Sequence, residues 1–119
     1  MNEPTDPPPE EHTGFLLHPA AALHDPGWGH PDHQGRLRAL ASAVSKDMVA
    51  LHQRVAQLEP RSATQQDLLR VHTHELLEQV RSGVDTAMEE EQPVSLDPDT
   101  WVSGASWDAA VGSSGAVLT

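Results

Sequence analysis

The stretch Leu37-Arg38-Ala39-Leu40-Ala41-Ser42-Ala43-Val44-Ser45-Lys46-Asp47-Met48-Val49-Ala50-Leu51-His52-Gln53-Arg54-Val55-Ala56-Gln57-Leu58 carries apolar residues at 37, 41, 44, 48, 51, 55 and 58. The spacing alternates between four and three. One side of a helix of about six turns is therefore apolar, and Leu40 widens that stripe. Pro60 limits the helix, because the residue before a proline disfavours the helical region. Periodicity leaves residues 54–58 open between a last helical turn and a short strand. Two architectures fit the stripe. It is either a coiled coil of about three heptads, the lower limit for one, or a core-facing helix of an α/β domain. A strand before it and further helices after it favour the second.

Upstream, Phe15-Leu16-Leu17 is an apolar run of strand length between Gly14 and Pro19. Ala20-Ala21-Ala22-Leu23 extends or turns it. The segment Asp25-Pro26-Gly27-Trp28-Gly29-His30-Pro31-Asp32-His33 is punctuated by Pro and Gly and excludes a helix. Residues 1–13, with Pro7-Pro8-Pro9 and Glu10-Glu11, are expected to be a disordered leader. Downstream, Thr64 can cap a helix by accepting from the backbone N–H of Asp67. Thr73 can break and re-cap it, giving helices over 64–72 and 74–84, with Gly83 as the stop. Residues 85–100 contain Glu89-Glu90-Glu91, Pro93 and Asp97-Pro98-Asp99 and are expected to be an acidic connector without a buried face. A last helix begins near Ser103 or Ser106. Its apolar positions Ala105, Ala109, Ala110 and Ala116 are small and permit close backbone approach to a neighbour.

The 119 residues suit one domain, and 18 acids against 7 bases give a net charge of −11. There are 13 Leu, 10 Val, one Phe and no Ile, so there is little bulk for a core. The absence of cysteine excludes disulfides and thiolate sites. Acidity argues against nucleic acid as a partner, since phosphate-backbone binding needs clustered Lys and Arg. No apolar run is long enough for a membrane span. The acidic start has no signal-peptide pattern, so a cytoplasmic location is the default.

Eight histidines are many for this length. His30-Pro31-Asp32-His33 is interrupted by proline, and His72 and His74 point to different sides of a helix. Neither pair has a third ligand in a fixed frame, so the residues name no metal site. No Gly-x-Ser-x-Gly elbow is present. Composition and spacing alone thus give an α-rich or α/β piece without an assembled active site.

The order of three motifs adds a resemblance. Trp28-Gly29-His30-Pro31-Asp32-His33-Gln34-Gly35-Arg36-Leu37 resembles the His-Pro-Glu-x-Pro-x-Arg-Leu segment near the start of histone deacetylase-like enzymes. Pro60-Arg61-Ser62-Ala63-Thr64, continuing through Leu68-Leu69-Arg70-Val71-His72-Thr73-His74-Glu75, is similar to that family's Pro-Arg-x-Ala-Thr and Leu-Leu-x-Val-His-Ser-x-Glu-Tyr stretch. Asp97-Pro98-Asp99-Thr100 with Ser103, Ser106, Ala109-Ala110 and Gly115-Ala116 resembles its Asp-Thr, Ser, Ala-Ala, Gly-Ala segment. Asp32 stands where the family usually has Glu, and Leu76 stands where it has an aromatic. Gly35 and Leu77 also replace commoner residues.

The resemblance implies an α/β fold, mostly helical within this chain: the N-terminal fragment of a three-layer arginase–deacetylase architecture over residues 14–119, truncated at its C-terminal end. It implies hydrolysis of acetyl-lysine or acetylated-amine (polyamine) amides by zinc-activated water. The family's zinc and general-base motifs lie further on. This chain has no His-His, no Asp-x-His and no tyrosine. The expectation is therefore an inactive piece, with zinc belonging to the intact enzyme and no catalytic or metal-binding residue here. Two site residues follow from the resemblance. Arg36 matches the arginine beside the internal channel for departing acetate. Asp99 matches a rim aspartate that clamps backbone N–H groups of a peptide substrate. The plainer alternatives stay open: Arg36 pairing with Asp32 at the surface, and Asp99 capping the next helix, with Asp97 as a competing carboxylate. The rival from another class is a small helical interaction protein pairing through the 37–58 stripe.

Overall fold

A computed structural model describes residues 13–51 and 54–119. Two separate two-stranded sheets and four helices make up the described residues. The expected leader lies outside them up to residue 12, and Thr13 already belongs to the first strand.

Strand β1 is Thr13–Phe15, two residues earlier than the apolar run Phe15-Leu16-Leu17 suggested. Its partner β2, Val55–Gln57, runs parallel to it with Thr13 opposite Val55, Gly14 opposite Ala56 and Phe15 opposite Gln57. The stripe that looked continuous to Leu58 is thus divided. Helix α1 is Gly35–Leu51, and the last two stripe positions lie beyond it, Val55 in β2 and Leu58 just after that strand. The alternation of three and four cannot register this change, because Val55 and Leu58 fit both patterns. The expectation that α1 faces a core is also corrected: none of its residues is buried. Val49 is 86% exposed.

Between β1 and α1, Pro19–Leu23 forms a 3-10 turn. The His18 Nδ1 caps it by accepting from the Ala20 N–H at 3.1 Å. The 3-10 turn packs on α4, Ser106–Leu118, and α1 packs on the 3-10 turn. The α4 contact is close because α4 carries glycine there. A Cβ on Gly112 would lie 2.6 Å from His18 Nδ1. On the next turn a Cβ on Gly115 would meet the backbone of residues 61–63. That segment is tied to α4 by the Ala63 N–H donating to the Val111 carbonyl at 2.8 Å.

Thr64 caps the one-turn helix α2, Gln65–Leu68, through a capping box with Asp67. Its hydroxyl accepts from Asp67 N–H at 3.1 Å, and the Asp67 carboxylate accepts from Thr64 N–H at 2.9 Å. Thr73 starts helix α3, His74–Glu90. Gly83 does not stop α3. The glycine is there for proximity: a Cβ would sit 2.6 Å from Leu96 Cδ2 and 3.3 Å from Val102 Cγ2. The helix ends at Glu91, which takes the left-handed conformation at φ 54°.

The acidic connector is corrected most. Residues 85–90 continue α3 and bury Ala87. Strands β3, Val94–Asp97, and β4, Thr100–Val102, then form an antiparallel hairpin with an irregular register between Ser95 and Asp97. The core consists of Ala21, Leu77, Val84, Ala87, Val102 and Ala109, half of it alanine, as the shortage of bulky residues implies. Arg81 of α3 lies over the Trp107 ring of α4, 4.4 Å from its centroid.

Candidate functional site

The segment between the 3-10 turn and α1 is built of short self-closing turns. The Gly27 N–H donates to Asp25 Oδ1 at 3.1 Å, and the Gly35 N–H donates to His33 Nδ1 at 3.1 Å. Trp28 stacks on His33 with centroids 4.8 Å apart. The histidines that looked like metal spacings are used in this way or stay exposed, as His72 and His74 do. This segment, the β3–β4 turn and the α4 N-terminus surround a cavity of about 380 Å³.

Both site residues singled out from the resemblance line this cavity, together with His24, His30, Asp32 and Ser106. Arg36 donates to Asp32 Oδ1 from Nη2 at 2.7 Å and from Nε at 3.1 Å. The plain pairing therefore exists, and it exists at the cavity wall. The second Asp32 oxygen lies 3.4 Å from His24 Nε2. On its other side the His24 ring meets Ser106 Oγ at 2.6 Å. Ser106 is 5% exposed. Its hydroxyl accepts from the Ser103 N–H at 2.7 Å, and the Ser103 hydroxyl accepts from the Asp25 N–H at 3.1 Å.

A second histidine spans the mouth. His30 Nδ1 accepts from the Asp32 N–H at 3.0 Å, so the proton of the neutral ring is on Nε2, which donates to the Asp99 carbonyl at 2.9 Å. That bond ties the β3–β4 turn to the segment before α1. The choice between the two aspartates of that turn also has a physical basis. The Asp97 carboxylate is spent on its own turn, accepting from the Asp99 N–H at 2.9 Å. That bond first, and the Thr100 hydroxyl next, hold its pKa below the usual carboxylate range despite partial desolvation. Asp99 lines the cavity, and its carboxylate makes no hydrogen bond to the described residues. It does not cap α4, which begins without a side-chain cap at Ala105.

Sequence reasoning missed His24. No spacing announces it, because its partner Ser106 is 82 positions away. It noticed Asp32 only as a departure and as a surface partner for Arg36. Among the described residues, no three or more His, Cys, Asp or Glu side chains gather in a way that could hold a metal ion. No described helix is long and apolar enough to cross a membrane.

No curated protein matches the chain. Solved structures do, among them the crystal structure of the HDA15 HD domain, with a TM-score of 0.72 at 23% identity. That match covers 89% of this chain and 30% of the other, so the chain spans under a third of the length of that structure. The likeness shows the fold, which has the mixed helix and strand content of the N-terminal part of the arginase–deacetylase architecture. The family model for the histone deacetylase domain matches residues 30–119, a span that includes Arg36, Asp99 and the serines that open α4. The chain belongs to the histone deacetylase domain family.

Proposed function

We propose that this chain supplies the N-terminal part of a zinc-dependent deacetylase that hydrolyses acetyl-lysine or acetylated-amine amides, and that these 119 residues alone do not turn over substrate. One observation carries the reading. Arg36 and Asp99, from two motifs far apart in sequence, line the same cavity. An arginine there can hold a carboxylate product through its fork of N–H groups, and an aspartate at the rim can accept two backbone N–H bonds from a peptide. The described residues do not form a metal site. The metal's ligands are therefore assigned to the remainder of such a domain.

The exposed stripe of α1 is what the rival reading, a helical pairing protein, draws on. Division of that stripe at Leu51 leaves a shorter face than such pairing would use.

The test is a chimaera in which this chain replaces the matching portion of an intact histone deacetylase family enzyme. The folded chimaera should deacetylate an acetyl-lysine peptide. Asp99→Ala should raise its KM for the peptide by roughly tenfold to a hundredfold, the loss of a hydrogen bond to a charged group. A small acetylated amine, which lacks the backbone amides, should be affected less. A folded but inactive chimaera would overturn the reading, as would equal losses on both substrates. Turnover by the 119-residue chain alone would overturn its second half.

A further inference from the structure

Arg36 has a weakness as an anion-binding group. Its side chain is 56% exposed and its Asp32 partner is 45% exposed. An isolated pair this open contributes little order, because water screens it and two flexible side chains must be immobilised. The geometry supplies what the pair lacks. Asp32 accepts from Arg36 with one oxygen and faces His24 Nε2 with the other. The His24 side chain is only 22% exposed, and its ring is held by Ser106 Oγ at 2.6 Å. Ser106 is in turn fixed by the Ser103 N–H at the start of α4. The relay therefore runs from the helix start through a part-buried imidazole to the carboxylate, and ends on the guanidinium at the cavity wall.

We propose that His24 is a positioning residue for Arg36: by holding the second oxygen of Asp32 it fixes the guanidinium so that its remaining N–H groups face the cavity and receive a small carboxylate. Arg36 has five N–H groups, of which Asp32 engages two. The Nη1 edge is left for the ligand. A ring serves here better than a flexible amide, because its two nitrogens lie on opposite edges and bridge Ser106 and Asp32 without a rotatable bond between them. The proposal rests on the reading of Arg36 as a carboxylate-holding group.

The experiment uses the 119-residue chain, labelled with nitrogen-15, and sodium acetate as the probe. The Arg36 Nε–H resonance reports whether the guanidinium is held. The acetate titration separately reports whether it binds a carboxylate. In the wild type the resonance should be resolved and slow to exchange, and acetate should shift it. His24→Ala should move it to the position of a free arginine and weaken acetate binding about tenfold. His24→Gln, whose amide can donate to Asp32 in place of the ring contact, should restore most of both. Far-ultraviolet circular dichroism establishes that each variant is folded. Should His24→Ala not fold, Ser106→Ala releases the ring from its other side and is read in the same way. An unchanged Arg36 resonance in folded His24→Ala overturns the positioning role. A well-held wild-type guanidinium that ignores acetate would instead refute the carboxylate-holding role of Arg36, and the resonance would still decide what His24 does.

Discussion

Replacing Gly115 with alanine adds one methyl group at the closest backbone approach among the described glycines. The new Cβ would press on the Arg61 carbonyl oxygen. It would also lie 2.5 Å from the Ser62 carbonyl carbon and 2.6 Å from the Ala63 nitrogen. These are main-chain atoms, and they cannot swing aside as a side-chain tip can. Two opposing effects decide the sign. Alanine favours the helix over glycine by about 1 kcal/mol. Against that, forcing extra volume into a packed contact costs about 1–3 kcal/mol. Displacing residues 61–63 also strains the bond from the Ala63 N–H to the Val111 carbonyl, with a net worth of about 1 kcal/mol. The Arg61 N–H bond to Thr119 Oγ1 is strained with it. The balance is a destabilisation of about 1–3 kcal/mol, or roughly 4–12 °C in Tm for a domain of this size. Urea unfolding followed by circular dichroism measures it. Gly29→Ala is the control: nothing lies within 4 Å of its added Cβ, and its φ is not in the left-handed region, so it should stay within about 0.5 kcal/mol of the wild type. A Gly115→Ala chain as stable as that control would refute the packing argument and leave only helix propensity at this position.

Thr64→Ala removes the hydroxyl half of the capping box and leaves the Thr64 N–H bond to Asp67 in place; a loss of about 0.5–2 kcal/mol is expected in the same urea assay. Acid should act on the other half. The Arg61 guanidinium first, then the Thr64 N–H and hydroxyl, hold the Asp67 carboxyl well below the usual carboxylate range. A native pKa below the unfolded one means that the stabilisation is complete above about pH 4 and is lost as pH falls from there toward the native value. The stability gap between wild type and Asp67→Asn should therefore be constant from pH 7 to 5 and shrink at pH 3; a gap that stays constant down to pH 3 would show that Asp67 does not act through its charge.

The elements that could be read directly are those whose cause is local. Thr64 and Thr73 each lie three residues before the N–H they cap, within reach of inspection. The small residues of α4 announced a close neighbour, although the sequence did not say which. Gly83 misled because glycine has two uses. It ends helices through its left-handed freedom, and it admits a neighbour through its missing Cβ, and a single sequence does not separate them. The non-glycine Glu91 took the first role instead. The hairpin was hidden because Asp97-Pro98-Asp99 has the composition of a linker, while its acidity serves a tight turn in which Asp97 accepts from the Asp99 N–H.

The site divides along the same line. The pairing of Arg36 with Asp32 is an i, i+4 contact and was legible as such. Its attachment through His24 to Ser106 joins positions 82 apart and leaves no periodic trace. The same distinction explains α1. Its stripe was read as facing a core, but the described residues set the 3-10 turn against it and none of α1 is buried. The pair β1 and β2 has the same character: parallel strands normally sit within larger sheets covered on both faces, and here there are two. Periodicity reports that one side of a helix is apolar, and not what lies against it, which is why the stripe indicated a core that the described residues do not place on α1.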